Sequence, residues 1–551
     1  MKDISILKWI YKSCGKRRAE IAALIMLNAW SAVCVTMFAL LSKTVIDCAQ
    51  NGDGEALLKN AAILLLLIVS QMLARVLSSF IETVSQGKAE MSLKTKIFSN
   101  VLCGEYSLAA ERHSGDIMTR LTADVTVVGD SAVSILPAAV SYIVRIISAA
   151  TALLSLDKSF ALIFMGCGVL IVFAAAMFRK PLKSFHRRVQ EKDSAVRSFM
   201  QEMVENLFAV KVFGIEKKII ERSSVLQKEL YREKLRRRRF SIAATMGFSA
   251  AFAAGFLAAV SYGSYGILMG TMSFGTVAAL IQLVNQLQSP TAGITGIIPA
   301  FFAMTASAQR LMETVPEGEL EIHGGEEIKY EDLNSIKFDG VTFGYGGETV
   351  LKNASFTVKK GEFVGVKGQS GIGKTTVFKL LAGLYRPESG KITVDTTDGE
   401  RSPKDIDGLI SIVPQGNMLF SGTVRENVTL LKSDADDTEI KRALTLACAE
   451  FVYELDNGLD TLLGEGGLGI SEGQAQRLAI ARALLGHGKI LLMDEATSAL
   501  DTDTEQKLLE NIVNLAELTV IFITHREAVI GKCDRIILLS EGEASESVKN
   551  E

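Results

Sequence analysis

Two short stretches of this sequence carry chemistry in their residue types and spacing. Gly368-Gln369-Ser370-Gly371-Ile372-Gly373-Lys374-Thr375-Thr376 fits the phosphate-loop pattern G-x-x-x-x-G-K-[ST]. It follows an apolar strand-like run, Phe363–Lys367, and opens a helix-like one. Glycines there let backbone N–H groups close around phosphate oxygens at the positive end of the helix. Lys374 would reach the β and γ phosphates, and Thr375 would hold Mg2+. Farther on, Asp494-Glu495 closes another apolar run, Lys489–Met493. The first carboxylate can hold Mg2+ through its water shell, and the second can orient or deprotonate an attacking water. Acidic pairs are common on surfaces, but one that closes an apolar strand downstream of a phosphate loop is not.

On these motifs the sequence resembles the ABC transporter family, and the family's other motifs follow in order. Tyr345, in Phe343-Gly344-Tyr345, resembles the aromatic that stacks on adenine. Gln415 matches the Q-loop that senses Mg2+ and the membrane domain. Ser471-Glu472-Gly473-Gln474 matches the signature, whose Ser471 and Gly473 would contact the γ phosphate of the other subunit's ATP. Glu472 departs from the usual glycine there. A carboxylate could repel phosphate, yet it is favourable at a helix N-terminus. Ser498 to Asp501 matches the D-loop, and His525, after Val520–Thr524, the switch histidine. Arg112–Asp116 with Arg120–Asp124, and Phe199–Glu216, resemble the two cytoplasmic loops of exporter-type members, whose short coupling helices dock on nucleotide domains. Leu463–Gly466 resembles the X-loop of exporters.

The elements that must position these residues fall into two halves. Residues 1–310 carry 35 Lys+Arg against 21 Asp+Glu, whereas residues 311–551 carry 24 against 41. The basic half is built of long uncharged runs, and the mean hydropathy of the chain is +0.27. A bilayer core of about 30 Å needs roughly 20 apolar residues as helix. Spans are expected at about 21–42, 61–81, 133–156, 159–178, 241–265 and 274–305. The last two come from 241–309, which holds no ionised residue and breaks at Gly263, Gly266, Gly270 and Gly275, with Pro290 and Pro299 bending the sixth. A soluble bundle needs a wet face on each helix and is excluded by such a stretch. Two spans are interrupted by charge, at Arg75 and Arg145. The long links between spans are charged, and Arg236–Arg239 reads as a membrane-surface anchor, so the N-terminus, both long links and the second half are expected in the cytoplasm. No signal peptide is recognised. The seven cysteines form no CxxC pair and read as apolar fillers.

The expected organisation is a transmembrane domain over 1–315, a linker over 316–334 and an ATP-binding domain over 335–551. The resemblance implies an all-α membrane domain of six helices with long cytoplasmic extensions. It also implies an α/β P-loop (RecA-like) domain with an antiparallel β subdomain and a helical signature subdomain. It implies ATP and Mg2+ as cofactors, Glu495, Gln415 and His525 as hydrolytic residues, and Thr375, Gln415 and Asp494 as Mg2+ ligands. The implied partner is a second half-transporter, a homodimer being favoured over a heterodimer. The implied mechanism is alternating-access export or flipping of a hydrophobic or amphiphilic substrate across the plasma or inner membrane. An importer on the same fold and an ATP-gated regulatory subunit remain alternatives. No nucleic acid is expected as a partner. Arg75 and Arg145 are expected to line the substrate cavity.

Overall fold

The computed structural model describes residues 2–15, 17–110, 114–314, 329–416, 418–486, 488–515 and 518–548. Arg112, His113 and most of the expected linker lie outside them. The chain divides into two compact units, Met1–Val101 with Ser114–Pro316 and Leu102–His113 with Glu317–Glu551.

The first unit is helical. Where no water reaches the backbone, Leu-, Ile- and Ala-rich runs can satisfy their N–H and C=O groups only by i→i−4 bonds. Long helices cover Arg18–Asn51, Gly54–Cys103, Val125–Leu156, Lys158–Glu205 and Glu216–Leu268. The boundaries have local causes. Gly52 ends the first of these in the left-handed region, at φ +73°. Asp157 caps the helix that starts at Lys158, accepting the Phe160 N–H at 2.7 Å. The sixth expected span is two helices, Phe274–Gln286 and Gln288–Thr314, divided at Leu287. Pro290 explains the break: it has no N–H to give Gln286, four residues earlier, and its ring crowds that carbonyl. Pro299 lies inside the second helix.

Among the described residues, four helical segments, Arg18–Asn51, Gly54–Cys103, Ser114–Leu156 and Glu216–Leu268, are long and apolar enough to cross a membrane. Inside, Leu24, Leu93, Ile97, Val125 and Leu311 share one buried cluster, and Leu153, Leu280 and Leu283 another. Outside, Leu65, Leu66, Leu73 and Phe80 are exposed. A contiguous apolar exterior of this kind suits acyl chains rather than water.

The second unit holds two principal sheets. A four-stranded antiparallel sheet runs in the order Glu348–Lys359, Leu333–Tyr345, Ser389–Thr396, Gly399–Arg401. A six-stranded sheet runs Glu543–Val548, Arg535–Ser540, Phe363–Gly368, Thr519–Ile523, Ile490–Asp494, Ile410–Val413. It is parallel except for Glu543–Val548, which is antiparallel. The strands Ile490–Asp494 and Thr519–Ile523 are buried throughout, as expected for parallel strands covered on both faces. Helices Asp437–Leu446 and Glu472–Leu485 join the apolar cluster on one side of this sheet.

Candidate active site

Register brings the chemistry to one edge of the six-stranded sheet. Ile523 pairs with Val366 on one side and with Asp494 on the other. Gly368, Asp494, Glu495 and His525 therefore emerge at the carboxyl ends of adjacent parallel strands, where α/β sheets bind ligands. Gln415 follows the neighbouring strand, Ile410–Val413.

The phosphate loop leaves Phe363–Gly368 at a point where glycine is required. A Cβ on Gly368 would stand 2.7 Å from the Leu539 carbonyl oxygen. Gly373, at φ +106°, caps helix Lys374–Leu381, and a Cβ there would meet Val350 at 2.7 Å. Lys374 is buried, and its Nζ donates to the carbonyl oxygens of Gly368 and Gln369, both at 2.9 Å. The Thr375 hydroxyl donates to Asp494 Oδ2 at 2.6 Å. Burial pushes the Asp494 carboxyl above the ordinary carboxylate range; the Thr375 bond opposes this, and the charge of Glu495 adds to it. A buried carboxylate beside a hydroxyl is a hard-oxygen set that favours a small divalent cation, so these two residues fit Mg2+.

Glu495 takes the left-handed backbone conformation, φ +49°. Its N–H donates to the Ile523 carbonyl oxygen at 2.9 Å. Gln415 Nε2 donates to Glu495 Oε2 at 3.0 Å, and His525 Nε2 stands 3.7 Å from Oε1. Three strand ends thus converge on one carboxylate. Tyr345 flanks the same loop, with its hydroxyl 3.3 Å from that of Thr376. Its ring meets those of Phe343 and Tyr385 edge-on, at 4.9 and 5.4 Å, and Lys379 Nζ lies 5.7 Å from its centre. Tyr385 and Lys379 carry no motif spacing, and sequence reasoning missed them.

The signature stands elsewhere. Ser471 and Gln474 form a capping box at the start of Glu472–Leu485, with N···O distances of 3.3 and 2.9 Å. Glu472 is exposed in the first turn. A Cβ on Gly473 would come within 2.8 Å of the Ala499 carbonyl oxygen, so glycine is required where the signature meets the Ser498–Asp501 turn. Asp501 caps Thr502–Val513, accepting the Thr504 N–H at 2.9 Å. Among the described residues no hydrogen bond joins Ser471, Glu472, Gly473 or Gln474 to the phosphate loop.

Two family models match, the ABC transporter transmembrane region over residues 21–291 and the ABC transporter domain over 351–498. The ABC transporter ATP-binding protein YfiB of Bacillus subtilis is 32% identical over 546 residues, covering 95% of this chain and 92% of that protein. The chain belongs to the ABC transporter family. An export ATP-binding/permease protein of Rickettsia felis is 30% identical over 491 residues, 87% of this chain and 84% of that protein. The fold matches the structure of a bacterial Atm1-family ABC exporter with ATP bound, with a TM-score of 0.81 at 22% identity over 96% of this chain and 95% of that one. This ABC transporter is therefore an ATP-binding, ATP-hydrolysing membrane protein with the exporter fold. Its short helix Tyr106–Ala110 falls within the nucleotide-binding unit. There Tyr106 meets Tyr385 edge-on at 5.6 Å, and Glu105 lies 3.8 Å from Arg386. In the membrane unit, Arg145 is half-buried within electrostatic reach of Arg75.

Proposed function

We propose that this ABC transporter exports an amphiphilic, anionic substrate across the plasma or inner membrane, working as a homodimer with its nucleotide-binding units in the cytoplasm. The observation that carries the assembly is the separation of the signature from the phosphate loop in one chain. A second copy would supply Ser471, Gly473 and Gln474 to each ATP. ATP hydrolysis then belongs to residues already side by side. Backbone N–H groups of residues 368–376 and the Lys374 ammonium bind the β and γ phosphates. Thr375, Asp494 and Gln415 would hold Mg2+, which supplies positive charge to the phosphate oxygens. Glu495 takes a proton from the attacking water, and Gln415 and His525 hold its carboxylate in place. Closure of the dimer around ATP would be carried to the membrane unit by the cytoplasmic loops and turn the cavity from inward-open to outward-open.

The substrate class rests on Arg75 and Arg145. A cation at mid-bilayer costs about 2.5–3.5 kcal/mol on insertion scales, so it faces protein or a watery cavity. Two cations within electrostatic reach of each other repel. An anionic headgroup would relieve that repulsion. The test is uptake of fluorescent anionic and cationic amphiphiles into proteoliposomes, with ATP supplied only outside. Anionic probes should accumulate through wild type and not through Glu495→Gln. Arg75→Ala/Arg145→Ala should lose stimulation by anions while keeping basal ATPase. Transport of cations alone, or equal anion stimulation of the double variant, would overturn the assignment.

A further inference from the structure

The turn Ser498–Asp501 begins three residues after Glu495, and the two are bonded, with the Ser498 N–H donating to the Glu495 carbonyl oxygen at 3.1 Å. The turn is gripped from both sides. On one side stands Gln476, buried on the helix Glu472–Leu485. Its Nε2 donates to Ser498 Oγ at 3.0 Å, and its Oε1 accepts the Ala499 N–H at 3.1 Å. On the other side stands Arg526, the residue after His525. Its Nη2 donates to the Ser498 carbonyl oxygen at 2.7 Å, and its Nη1 to the Leu500 carbonyl oxygen at 3.1 Å. The same Nη1 meets Glu505 Oε2 at 2.9 Å. Glu505 is only 2% exposed, and among the described residues its other oxygen accepts no hydrogen bond. The position of the guanidinium is thus fixed by a carboxylate that depends on it in turn.

We propose that Gln476, Arg526 and Glu505 are positioning residues for ATP hydrolysis, clamping the Ser498–Asp501 turn so that Glu495 is held in its left-handed conformation. The clamp joins three parts that no sequence motif connects: the signature helix, the turn and the segment bearing His525. A shift of either the signature helix or the His525 segment is transmitted to the Glu495 backbone through bonds to Ser498, Ala499 and Leu500. Glu495 needs such support, because a non-glycine residue at positive φ does not hold that conformation by itself. The clamp makes no hydrogen bond to the phosphate loop among the described residues, so it should govern the rate of the chemical step and leave ATP binding alone.

This inference rests on the reading that Glu495 activates the attacking water, and the experiment separates the two. Steady-state ATPase and ATP affinity are measured on full-length protein in nanodiscs for Glu495→Gln, Arg526→Ala, Arg526→Lys, Gln476→Leu and the Arg526→Lys/Gln476→Leu pair. Retained turnover in Glu495→Gln overturns the reading of Glu495 itself. If Glu495→Gln is inactive, Arg526→Ala and Gln476→Leu should each lower kcat about tenfold or more with KM for ATP within about twofold, since small misplacements of reacting groups cost up to about 10²-fold. Arg526→Lys keeps the charge opposite Glu505 but cannot fork onto two carbonyls, so it should keep its thermal midpoint and still lose turnover. The paired variant should lose no more than its worse member, because either change frees the same turn. If Arg526→Ala does not fold, Arg526→Lys and Gln476→Leu decide. Wild-type kcat in those two, a loss that appears in KM alone, or effects that multiply in the pair would overturn the clamp.

Discussion

Glu495 occupies a backbone conformation that costs an L-residue roughly 1–2 kcal/mol, and the strand ends around it hold it there. That expense is reasonable only if the carboxylate must stand at one point. Glu495→Gln keeps the shape and the backbone bonds and removes the proton acceptor. Turnover should fall by about 10²–10⁴ while ATP is still bound, as checked by equilibrium binding beside single-turnover hydrolysis. Activity within a few-fold of wild type would reject the role. Tyr345 tests the other end of the nucleotide. Base–aromatic stacking is worth about 1–3 kcal/mol and is equal in ground and transition states, so Tyr345→Ala should raise KM by about 5- to 150-fold with kcat nearly unchanged. The residues behind both predictions were legible in the sequence because each belongs to a run of fixed local spacing. Tyr385, Lys379, Gln476 and Arg526 were not. Tyr345 lies 40 residues from Tyr385, Ser498 22 from Gln476 and Leu500 26 from Arg526, and a contact that register and packing create leaves no spacing to read.

At the scale of elements, the helices of the membrane unit were readable from apolar length, but the bonds between helices were not. Below the expected third and sixth spans, Asp124 is buried and accepts from Arg310 Nε and Ser307 Oγ, both at 2.8 Å. Arg120 reaches across to Thr314 Oγ1 at 3.0 Å and is held by Asp116 at 2.9 Å. These bonds fasten the π turn Arg120–Asp124 to the helix Gln288–Thr314. Burial alone would raise the Asp124 carboxyl, but the Arg310 and Ser307 bonds outweigh it and hold the group below the ordinary range. A carboxyl depressed in the folded state stabilises at pH above its unfolded value and loses that contribution as pH falls through the folded one. The Asp124 contribution should therefore be complete at neutral pH and decline below about pH 4. Asp124→Asn should cost about 1–3 kcal/mol at pH 7 and converge with wild type in acid. Both tryptophans of the chain, Trp9 and Trp30, lie in this unit, and Trp9 belongs to the apolar cluster that contains Val125 and Leu311. Fluorescence unfolding curves at several pH values in detergent would check the prediction, and a variant as stable as wild type at pH 7 would reject it.

At the scale of the molecule, the residues that would meet ATP form two groups in one chain: the phosphate loop with Asp494, Glu495, Gln415 and His525, and the signature Ser471–Gln474, which makes no hydrogen bond to the phosphate loop among the described residues. A homodimer that shares these groups makes each ATP site from both copies, and this can be tested without knowing the substrate. Copies carrying Lys374→Ala and copies carrying Ser471→Arg are made in a Glu495→Gln background, with different affinity tags. Each homodimer then has both sites damaged. In the mixed dimer, sites built across the interface put both defects in one site and leave the other with an intact phosphate loop and an intact signature. The mixed dimer should therefore occlude one ATP, measured as nucleotide retained through tandem purification, and each homodimer close to none. If every site were built within one chain, each would carry one defect and the mixed dimer would retain no more than its parents. A chain that dimerises and hydrolyses ATP only with a different half-transporter would reject the homodimer while leaving the shared sites standing.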